Sequence, residues 1–480
     1  MELNEIIELR KSKLEALKGK GVCGYQSSPV GSQTVSETVK AFSEGAKAQV
    51  SGRITAKRLH GKVLFLDLKD AFNRIQLYVK ADIIGKDKFD IFEHLDIADI
   101  IAVSGELFKT HTGEATIKVE DVLVLSKALR PLPEKWHGLK DVEMRYRQRY
   151  LDLVSNEEVR KVFHMRSQIV DAIRETLGAE GFLEVETPMM HAIPGGAAGR
   201  PFKTFHNEYG FELYMRIAPE LYLKRLLVGG LDKVYEINRS FRNEGVSSRH
   251  NPEFTMLEVY AAYKNYEYMM ELSQKLIVAA AKKVRNDTKF TYQGKEIDLG
   301  IAWQKKSFAA MVKERFGIEP GEDAALMLKK LQEKGFAKDK NRLTRSQVGK
   351  IIEDLLEQDL SMSPTFVTDF FTSLSPLAQA KKDNPQVTER FELYIAGMEV
   401  GNAYSELNDP IEQKKRFEEE IKNMDTSELK NIDEDFIIAL EHGMPPAGGL
   451  GIGIDRLVML LTDSASIRDV ILFPLLKPEK

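Results

Sequence analysis

A polar loop between two strand-like runs is the feature that most constrains the fold. The loop, FRNEGVSSRHNPEF from Phe241 to Phe254, carries two arginines, a histidine and two glutamates around Gly and Ser. The flanking runs DKVYEINRSF and EFTMLEVYAAY are typical of β-strands, so the sequence predicts an antiparallel hairpin. Side chains alternate between the faces of a strand, and one face here would be apolar. The other face would carry Glu236, Asn238, Arg242, Glu244, Phe254, Glu258 and Tyr260. Taken alone, that polar face is most simply explained by exposure to water.

Length and composition restrict the class of protein. A chain of 480 residues is expected to form two or three domains. The net charge of -4 and the 30% of charged residues are ordinary for a globular protein. The single cysteine, Cys23, cannot form a disulfide within the chain or a cysteine-based zinc site. No apolar run reaches transmembrane length. We therefore expect a soluble cytoplasmic protein with no membrane partner.

The pattern along the chain predicts four regions. Residues 1–47 form a helix and a connector, and residues 48–128 hold five short β-prone runs with one helical interval near 86–96. Five such strands are typical of a small oligonucleotide-binding (OB) barrel. Residues 51–80 support this, since they carry seven Lys or Arg against two acids. Residues 129–158 read as a linker, and residues 159–480 as a larger α+β domain with a helical insertion at about 305–358.

Two further segments supply polar groups at strand or helix positions. In FELYIAGMEVGNAYSELND, Asn402, Tyr404 and Glu406 would share one strand face, and Glu392 and Glu399 add carboxylates. Glu220 begins an apolar helix, where an acid can also simply stabilise the helix start.

A glycine-rich segment precedes the last long apolar helix. GMPPAGGLGIGIDRLVMLL matches neither a Walker loop nor G-x-G-x-x-G. We interpret its glycines as close packing of a strand on a helix. Arg456, at the head of that helix, is the better candidate for a functional role.

These segments carry a family resemblance. GFLEVETPMM, FRNEG with RHNPEFTMLEVY, and GLGIGIDRLVMLL resemble motifs 1, 2 and 3 of the class II aminoacyl-tRNA synthetases. GGAAGRPF, RIAPELYLKRLLVGG, EVGNAYSELND and RDVILFP, together with the predicted barrel, are similar to the bacterial type of class II lysyl-tRNA synthetase. The resemblance runs from about residue 48 to the C-terminus.

The resemblance implies an α+β fold and a reaction. It implies an N-terminal five-stranded OB-fold β-barrel that binds the anticodon, and a class II synthetase catalytic domain. That domain would be a six-stranded antiparallel sheet flanked by helices, and the protein a homodimer with motif 1 at the interface. The implied enzyme, a ligase, uses ATP and Mg²⁺ to convert L-lysine to lysyl-adenylate. It then transfers lysine to the 3′ end of tRNA(Lys), forming AMP and diphosphate.

The resemblance also implies the roles of single residues. Arg242, the catalytic residue, would bridge the lysine carboxylate and the α-phosphate. Glu406 would receive the ε-ammonium, while Glu220 and Glu258 would surround the α-amino group. The implied lysine-binding residues are Gly196, Glu220, Arg242, Glu258, Tyr260, Asn402, Tyr404 and Glu406.

The implied ATP-binding residues are Arg242, Glu244, Arg249, His250, Asn251, Phe254, Glu392, Glu399 and Arg456. Phe254 and Arg456 would sandwich the adenine, and Arg249 would reach the outer phosphates. Glu392 and Glu399 would bind Mg²⁺, because a hard cation prefers carboxylate oxygens.

The anticodon contacts implied in the barrel are Arg58, Phe65, Gln76 and Glu120. Phe65 would stack on a base while the polar groups read base edges. In the run KVLFLDL, however, Phe65 could equally belong to the core.

Three alternatives remain open at the level of sequence. A related synthetase for aspartate or asparagine shares the motifs, but it would need a basic pocket rather than Glu220, Glu258 and Glu406. A ligase that lysylates a protein would resemble the catalytic domain without the barrel. A non-catalytic RNA-binding relative would be expected to lack Arg242, Glu399 or Arg456, and all three are present.

Overall fold

The computed structural model describes residues 2–27, 31–61, 63–133, 139, 141–197, 199–423 and 432–478. The chain divides into two compact units, Met1–Arg160 and Lys161–Lys480. Of the predicted linker at 129–158, residues 134–138 and 140 lie outside the described residues. None of the helices in the described ranges is long and apolar enough to cross a bilayer.

The first unit contains six helices and six strands within its described residues. In chain order they are α1 (Leu3–Gly19), β1 (Gln33–Thr34), α2 (Val35–Lys40), β2 (Lys47–His60), β3 (Val63–Lys69), β4 (Arg74–Lys80), α3 (Ala81–Ile84), α4 (Lys86–His94), β5 (Ile100–Lys109), β6 (Ala115–Ser126), α5 (Val142–Arg147) and α6 (Arg149–Ser155).

Strands β2 to β6 form the predicted five-stranded barrel. β2, β3 and β4 pair in antiparallel order, β4 pairs in parallel with β6, and β5 pairs with both β6 and β2. The β2–β5 pairing closes the sheet, which removes its free edges. Alternate positions of β3, Leu64, Leu66 and Leu68, are buried in the barrel core.

One short helix lies where the sequence predicted a connector. α2 begins after Thr34, whose side chain accepts a hydrogen bond from the backbone of Glu37 while Glu37 caps Thr34 in return. This reciprocal capping box satisfies two donors at the helix start, and Val35 is fully buried against the barrel. The part of residues 1–47 that follows the first helix therefore contains a second, short helix in addition to connecting segments.

The second unit is built on one large sheet. Its elements are α7 (Glu157–Ala179), β7 (Leu183–Glu184), β8 (Met190–His191), β9 (Lys203–His206), β10 (Phe211–Met215), α8 (Glu220–Val228), β11 (Lys233–Phe241), β12 (Glu253–Ala262), α9 (Tyr266–Arg285), β13 (Lys289–Tyr292), β14 (Lys295–Asp298), β15 (Gln304–Ser307), α10 (Phe308–Phe316), α11 (Ala324–Glu333), α12 (Arg345–Glu357), β16 (Thr365–Thr368), β17 (Arg390–Ile395), β18 (Met398–Ser405), α13 (Pro410–Asn423), α14 (Glu434–Glu441), β19 (Ala447–Gly453), α15 (Ile454–Thr462) and α16 (Ile467–Val470).

The large sheet has eight strands in the order β15-β16-β17-β18-β19-β12-β11-β7. The six central strands, β16 to β11 in this order, pair antiparallel. The edge strands β15 and β7 pair in parallel with their neighbours. The expected six-stranded antiparallel sheet is thus the centre of a wider mixed sheet, to which β15 and β7 add one parallel strand at each edge.

Helices cover one face of this sheet. The odd positions of β12, Leu257 and Val259, lie in one core with residues of α7, α9 and α15. The alternation of side chains therefore turns the even positions of β12 to the opposite face. That second face carries the polar groups predicted from sequence.

Candidate functional site

Two rows of side chains cross five central strands on the polar face. Strand pairing aligns the first row as Glu236, Glu258, Gly451, Asn402 and Glu392. It aligns the second row as Val234, Tyr260, Gly449, Tyr404 and Arg390. Residues that are far apart in sequence, in the hairpin and in FELYIAGMEVGNAYSELND, thus lie in the same rows, separated only by the glycines of β19.

Two glycines of β19 leave the middle of this face without side chains. A Cβ on Gly449 would lie 1.9 Å from Oε1 of Glu406, and a Cβ on Gly451 would lie 3.5 Å from Oε1 of Glu258. Strand-on-helix packing explains Gly448, whose Cβ would lie 2.8 Å from the carbonyl oxygen of Asn265. It was the wrong explanation for Gly449 and Gly451, which leave room beside the acidic side chains.

Three buried carboxylates gather beside these glycines. Tyr404 donates a hydrogen bond from its hydroxyl to Oε1 of Glu220 at 2.6 Å. Tyr260 donates to Oε2 of Glu258 at 3.1 Å. Glu406 is buried, and its Oε1 has no hydrogen-bond partner among the described residues. This part of the face therefore concentrates carboxyl groups away from water.

Burial shifts the ionisation of these acids. It raises the pKa of Glu258 to about 8, and the neighbouring Glu220 raises it further in the same direction. Burial also raises the pKa of Glu406 well above its usual range, while Lys224 opposes that shift. Desolvation disfavours the charged form of a carboxyl, and a bound cation would restore it.

Lys224 completes the acidic cluster. It is fully buried, and its Nζ donates to Oε1 of Glu220 at 2.6 Å and forms an ion pair with Oε2 of Glu406. Sequence analysis missed this residue, although its spacing of four from Glu220 on an apolar helix was a visible signal.

Two other predicted lysine-binding residues lie at the edge of the cluster. Gly196 has a φ of +87°, and a Cβ there would lie 3.3 Å from Cβ of Glu220. Asn402 accepts a hydrogen bond through Oδ1 from Nε of Arg390 at 3.1 Å. The structure thus brings together Glu220, Glu258, Tyr260, Tyr404, Glu406, Asn402 and Gly196 on or beside one face.

Arg242 lies just beyond the end of β11. Its backbone N–H donates to the carbonyl of Pro252 at 2.8 Å, and its guanidinium lies over the ring of Phe254, 5.2 Å from the centroid. Nε of Arg242 is buried and has no hydrogen-bond partner in the described part of the chain. Burial lowers the pKa of Arg242, against the opposing charges of Glu244 and Glu399. A partly buried cation whose buried Nε is an unused donor is suited to an anionic ligand.

The predicted nucleotide-binding residues form a second group. Arg456 donates through Nη1 to Oε2 of Glu399 at 3.0 Å and through Nη2 to Nε2 of His250 at 3.2 Å. Arginine can only donate, so Nε2 of His250 accepts and its Nδ1 carries the proton toward Oγ of Ser247. Burial and Arg456 both lower the pKa of His250, in agreement with a neutral ring.

Two members of the predicted ATP set have other contacts. Arg249 forms an ion pair with Glu357 of α12 and donates to the carbonyl of Gly397 at 3.4 Å. Asn251 donates through Nδ2 to the carbonyl of Glu253 at 2.6 Å, and its buried Oδ1 has no partner among the described residues. Phe254 lies beneath Arg242 rather than beside Arg456 in these contacts.

Glu392 and Glu399 lie on neighbouring strands. A register shift after Leu393 places Glu399 opposite Tyr394, whose hydroxyl donates to Oε2 of Glu392 at 2.6 Å. Such an irregularity re-aims a side chain, and here it turns Glu399 toward the polar face. Arg390 donates to Oε1 of Glu392 at 2.6 Å. Within the described ranges, no group of three or more His, Cys, Asp or Glu side chains could hold a metal ion.

The barrel carries a separate group on its outer surface. Strand pairing aligns Arg58 with Phe65 and Phe65 with Tyr78, and Gln76 lies two residues from Tyr78. Phe65 is half-buried outside the barrel core, with its ring 5.5 Å from that of Tyr78 and 6.1 Å from that of His60. The alternative that Phe65 is a core residue is therefore wrong.

Polar residues border this aromatic group. Arg58 donates to Oδ1 of Asp67 at 3.0 Å, and Gln76 donates to Oε2 of Glu114 at 3.1 Å. Glu120 is exposed and forms an ion pair with Lys47. Sequence analysis missed Tyr78 and Phe108, whose rings extend the aromatic row, although both alternate with buried residues of their strands.

Comparison with known proteins agrees with the division of the chain into a barrel and a unit built on the large sheet. A family profile described as tRNA synthetases class II (D, K and N) matches residues 141–477, and one described as OB-fold nucleic acid binding domain matches residues 48–125. A lysine–tRNA ligase from Carboxydothermus hydrogenoformans is 51% identical over 483 residues, covering 99% of each chain. One from Pelotomaculum thermopropionicum is 50% identical over 487 residues, covering 100% of this chain and 96% of the relative. One from Listeria welshimeri is 46% identical over 492 residues, covering 99% and 98%.

Proposed function

The chain belongs to the class II aminoacyl-tRNA synthetases, within their lysine–tRNA ligases, and from this premise we propose how its residues carry out the reaction. The enzyme joins L-lysine to tRNA(Lys) at the expense of ATP. The observation that carries the assignment of substrate is the buried cluster of Glu220, Glu258 and Glu406. An acidic or neutral amino acid would leave these charges unpaired, so the aspartate and asparagine alternatives are not favoured.

The first step requires positioning and charge neutralisation. The lysine carboxylate attacks the α-phosphorus of ATP, a P–O bond forms to lysine, and the bond to diphosphate breaks. Arg242 would bind the lysine carboxylate and the α-phosphate together, because a planar guanidinium presents two parallel donors. Its burial and its unused Nε support this role. No protein base is needed, since the attacking carboxylate is already ionised.

The side chain of the substrate lysine would lie across Gly449 and Gly451 of β19. Its ε-ammonium would bind Oε1 of Glu406, with Tyr260 and Asn402 beside it, and its α-ammonium would lie between Glu220 and Glu258. The support for this orientation is the position of Arg242 near the Glu258 end, where its charge favours ionised Glu258. Tyr404 and Gly196 would complete the pocket through their contacts with Glu220.

The nucleotide would occupy the second group of residues. Glu244, His250 and Asn251 would hold the adenine and ribose, and Phe254 and Arg456 would lie on the two sides of the base. For this sandwich Arg242 must leave the ring of Phe254 and turn to the phosphates. Arg249 would leave its ion pair with Glu357 and bind the outer phosphates of ATP.

Glu392 and Glu399 fit Mg²⁺. Both are carboxylates, the donors that Mg²⁺ prefers, and this ion takes only one or two protein carboxylates beside phosphate and water oxygens. Each acid already forms an ion pair with an arginine, Glu392 with Arg390 and Glu399 with Arg456, so both carboxylates lie beside positive charge. The ion would neutralise phosphate charge when bound.

The second step transfers lysine to tRNA. A terminal ribose hydroxyl of tRNA attacks the carbonyl of the adenylate, and AMP leaves. The anticodon would meet the outer surface of the barrel, with Phe65 stacking on a base and Arg58, Gln76 and Glu120 reading polar edges. We keep the predicted limits of 48–128 for this domain, 129–158 for the linker, 159–480 for the catalytic domain and about 305–358 for the insertion.

We also propose a homodimer that works in the cytoplasm, where tRNA and ATP are available. Motif 1 exposes Leu183, Met189 and Met190 at 53%, 48% and 53%. Three large apolar side chains in one short segment are suited to burial against a second copy. Analytical ultracentrifugation should give twice the mass of the chain, and a monomer at micromolar concentration would contradict the dimer.

The direct test of the lysine site is Glu406→Gln. Breaking a buried charge pair costs about 3 to 5 kcal/mol, so lysine activation should fall by roughly two to four decades. The measurement is lysine-dependent ATP/diphosphate exchange and aminoacylation of tRNA(Lys). Glu434→Gln, the same change at an exposed position in the first turn of α14, serves as control and should leave both rates unchanged. Near-normal exchange by Glu406→Gln would overturn the assignment.

A further inference from the structure

A lysine of the enzyme itself lies inside the acidic cluster. Lys224 is fully buried on α8, and its Nζ contacts carboxylates from two different elements. One is Glu220 at the start of the same helix, and the other is Glu406, just after β18. Lys224 therefore joins the acid proposed for the α-ammonium end of the substrate to the acid proposed for the ε-ammonium end.

The helix and the neighbouring strand hold Lys224 in this position. Residues four apart lie on one side of a helix, so Glu220 and Lys224 point the same way. The ring of Tyr404 lies 5.5 Å from Nζ, and the hydroxyl of Tyr404 donates to the same Oε1 of Glu220. Leu223 and Leu227 fix the helix in an apolar core. The ammonium thus has little freedom to leave.

The charges of the pocket explain what this ammonium does. With lysine bound, Glu220, Glu258 and Glu406 would carry three negative charges, and Lys224 neutralises one of them. Two negative charges remain, which matches an amino acid with two ammonium groups. The substrate carboxylate has a separate partner in Arg242.

From this we propose that Lys224 is a specificity-determining positioning residue, which sets the charge of the pocket to suit a diamino acid and orients Glu220 and Glu406. The inference rests on the proposed function, since it concerns the same lysine site.

The contacts of Glu406 show how the orientation would work. Lys224 forms an ion pair with Oε2, while Oε1 faces Gly449 and has no such partner; neither oxygen has a hydrogen-bond partner among the described residues. One oxygen is therefore fixed by the protein, and the other stays available to the substrate. Without Lys224, three carboxylates would face two ammonium groups, and the excess buried charge would weaken lysine binding.

A plain structural ion pair is the competing explanation, and a double-mutant cycle separates the two. Lys224→Met should raise the KM for lysine by about tenfold or more in ATP/diphosphate exchange, with the KM for ATP within about threefold of wild type. Glu220→Gln removes one negative charge, so Glu220→Gln/Lys224→Met restores the balance. The fold increase in the KM for lysine of the double variant should be about tenfold or more below the product of the fold increases of the two single variants.

The control is Leu223→Ala, which disturbs the packing of α8 without changing charge. Combined with Glu220→Gln, it should give multiplicative effects. Multiplicative effects for Lys224→Met as well, or equal rises in the KM for lysine and for ATP, would overturn the proposal. If Lys224→Met does not fold, the double variant carries the test. It should fold and bind lysine within about tenfold of Glu220→Gln, and its failure would also overturn the proposal. Wild-type exchange in the same series tests the proposed function independently.

Discussion

The ionisation of single residues in the site depends on burial and on neighbouring charges. Glu258 illustrates this, because burial raises its pKa to about 8 while an exposed Glu titrates near 4.3. The folded chain therefore keeps a proton on Glu258 at pH 7, and ionisation of this group opposes folding between those two pH values. An ammonium bound beside Glu258 would favour the ionised form and lower its pKa.

Lysine binding should therefore release protons at pH 7, and the affinity for lysine should rise between pH 6 and pH 8. Calorimetric titration in two buffers of different ionisation enthalpy measures the number of protons released. The release should be measurable at pH 7 and should decrease in Glu258→Gln, where Glu406 remains as a second buried acid that a bound ammonium would ionise. Proton uptake, or an affinity that falls as the pH rises, would refute the assignment of Glu258.

At this scale, strand alternation predicted which side chains share a strand face. It placed Glu258 with Tyr260 on one strand and Asn402 with Tyr404 on another, and strand pairing joins the two sets on one face of the sheet. Lys224 was not predictable in the same way, since its ion pair with Glu406 spans 182 positions between elements that only the sheet brings together. The glycines were misread for the same reason, because the atoms that face Gly449 belong to Glu406 and Tyr260 of other segments.

Whole elements add contacts that sequence periodicity does not reveal. The hairpin loop meets the helical insertion through the ion pair of Arg249 with Glu357, residues 108 positions apart. The buried face of α12, with Val348, Ile352 and Leu356, packs in a core that includes Tyr394, the residue whose hydroxyl holds Glu392. α12 is therefore part of the structural support of the strand that carries Glu392, one of the residues proposed to hold Mg²⁺.

This contact predicts a competition between Glu357 and ATP for Arg249. Glu357→Gln should weaken the ion pair, free Arg249 for the phosphates, and lower the KM for ATP by about two- to fivefold, the scale of a partly exposed pair. Arg249→Ala should raise that KM and remove the effect of Glu357→Gln. Exchange kinetics at varied ATP measure both. An unchanged KM in Glu357→Gln would mean that Arg249 does not bind phosphate.

The barrel predicts a separation of the two steps. Phe65 and Tyr78 form an aromatic pair outside the barrel core, so truncation should remove base stacking without opening a cavity. Loss of stacking costs about 1 to 3 kcal/mol per base. Phe65→Ala should therefore raise the KM for tRNA(Lys) by roughly tenfold to a hundredfold while adenylate formation stays unchanged. Equal loss of both activities would indicate misfolding instead.

At the scale of the whole molecule, the sequence predicted two kinds of architecture correctly. Short runs with alternating apolar residues gave the five-stranded barrel, and longer periodic elements gave the α+β unit. The extra edge strand β15 could not be seen, because a piece of four residues carries no clear period. Each unit has its own hydrophobic core. The barrel proposed to bind tRNA and the sheet proposed to activate lysine are therefore stabilised by separate sets of buried residues.

The central claim is that this chain activates lysine through an acidic pocket. Amino-acid-dependent ATP/diphosphate exchange with each of the twenty amino acids tests it most directly, because exchange requires formation of the adenylate but not tRNA. We expect lysine to support exchange with a kcat/KM at least about a hundredfold above that of any other amino acid, the discrimination that unpaired buried charges impose. A preference for aspartate, asparagine or any amino acid other than lysine would contradict the account.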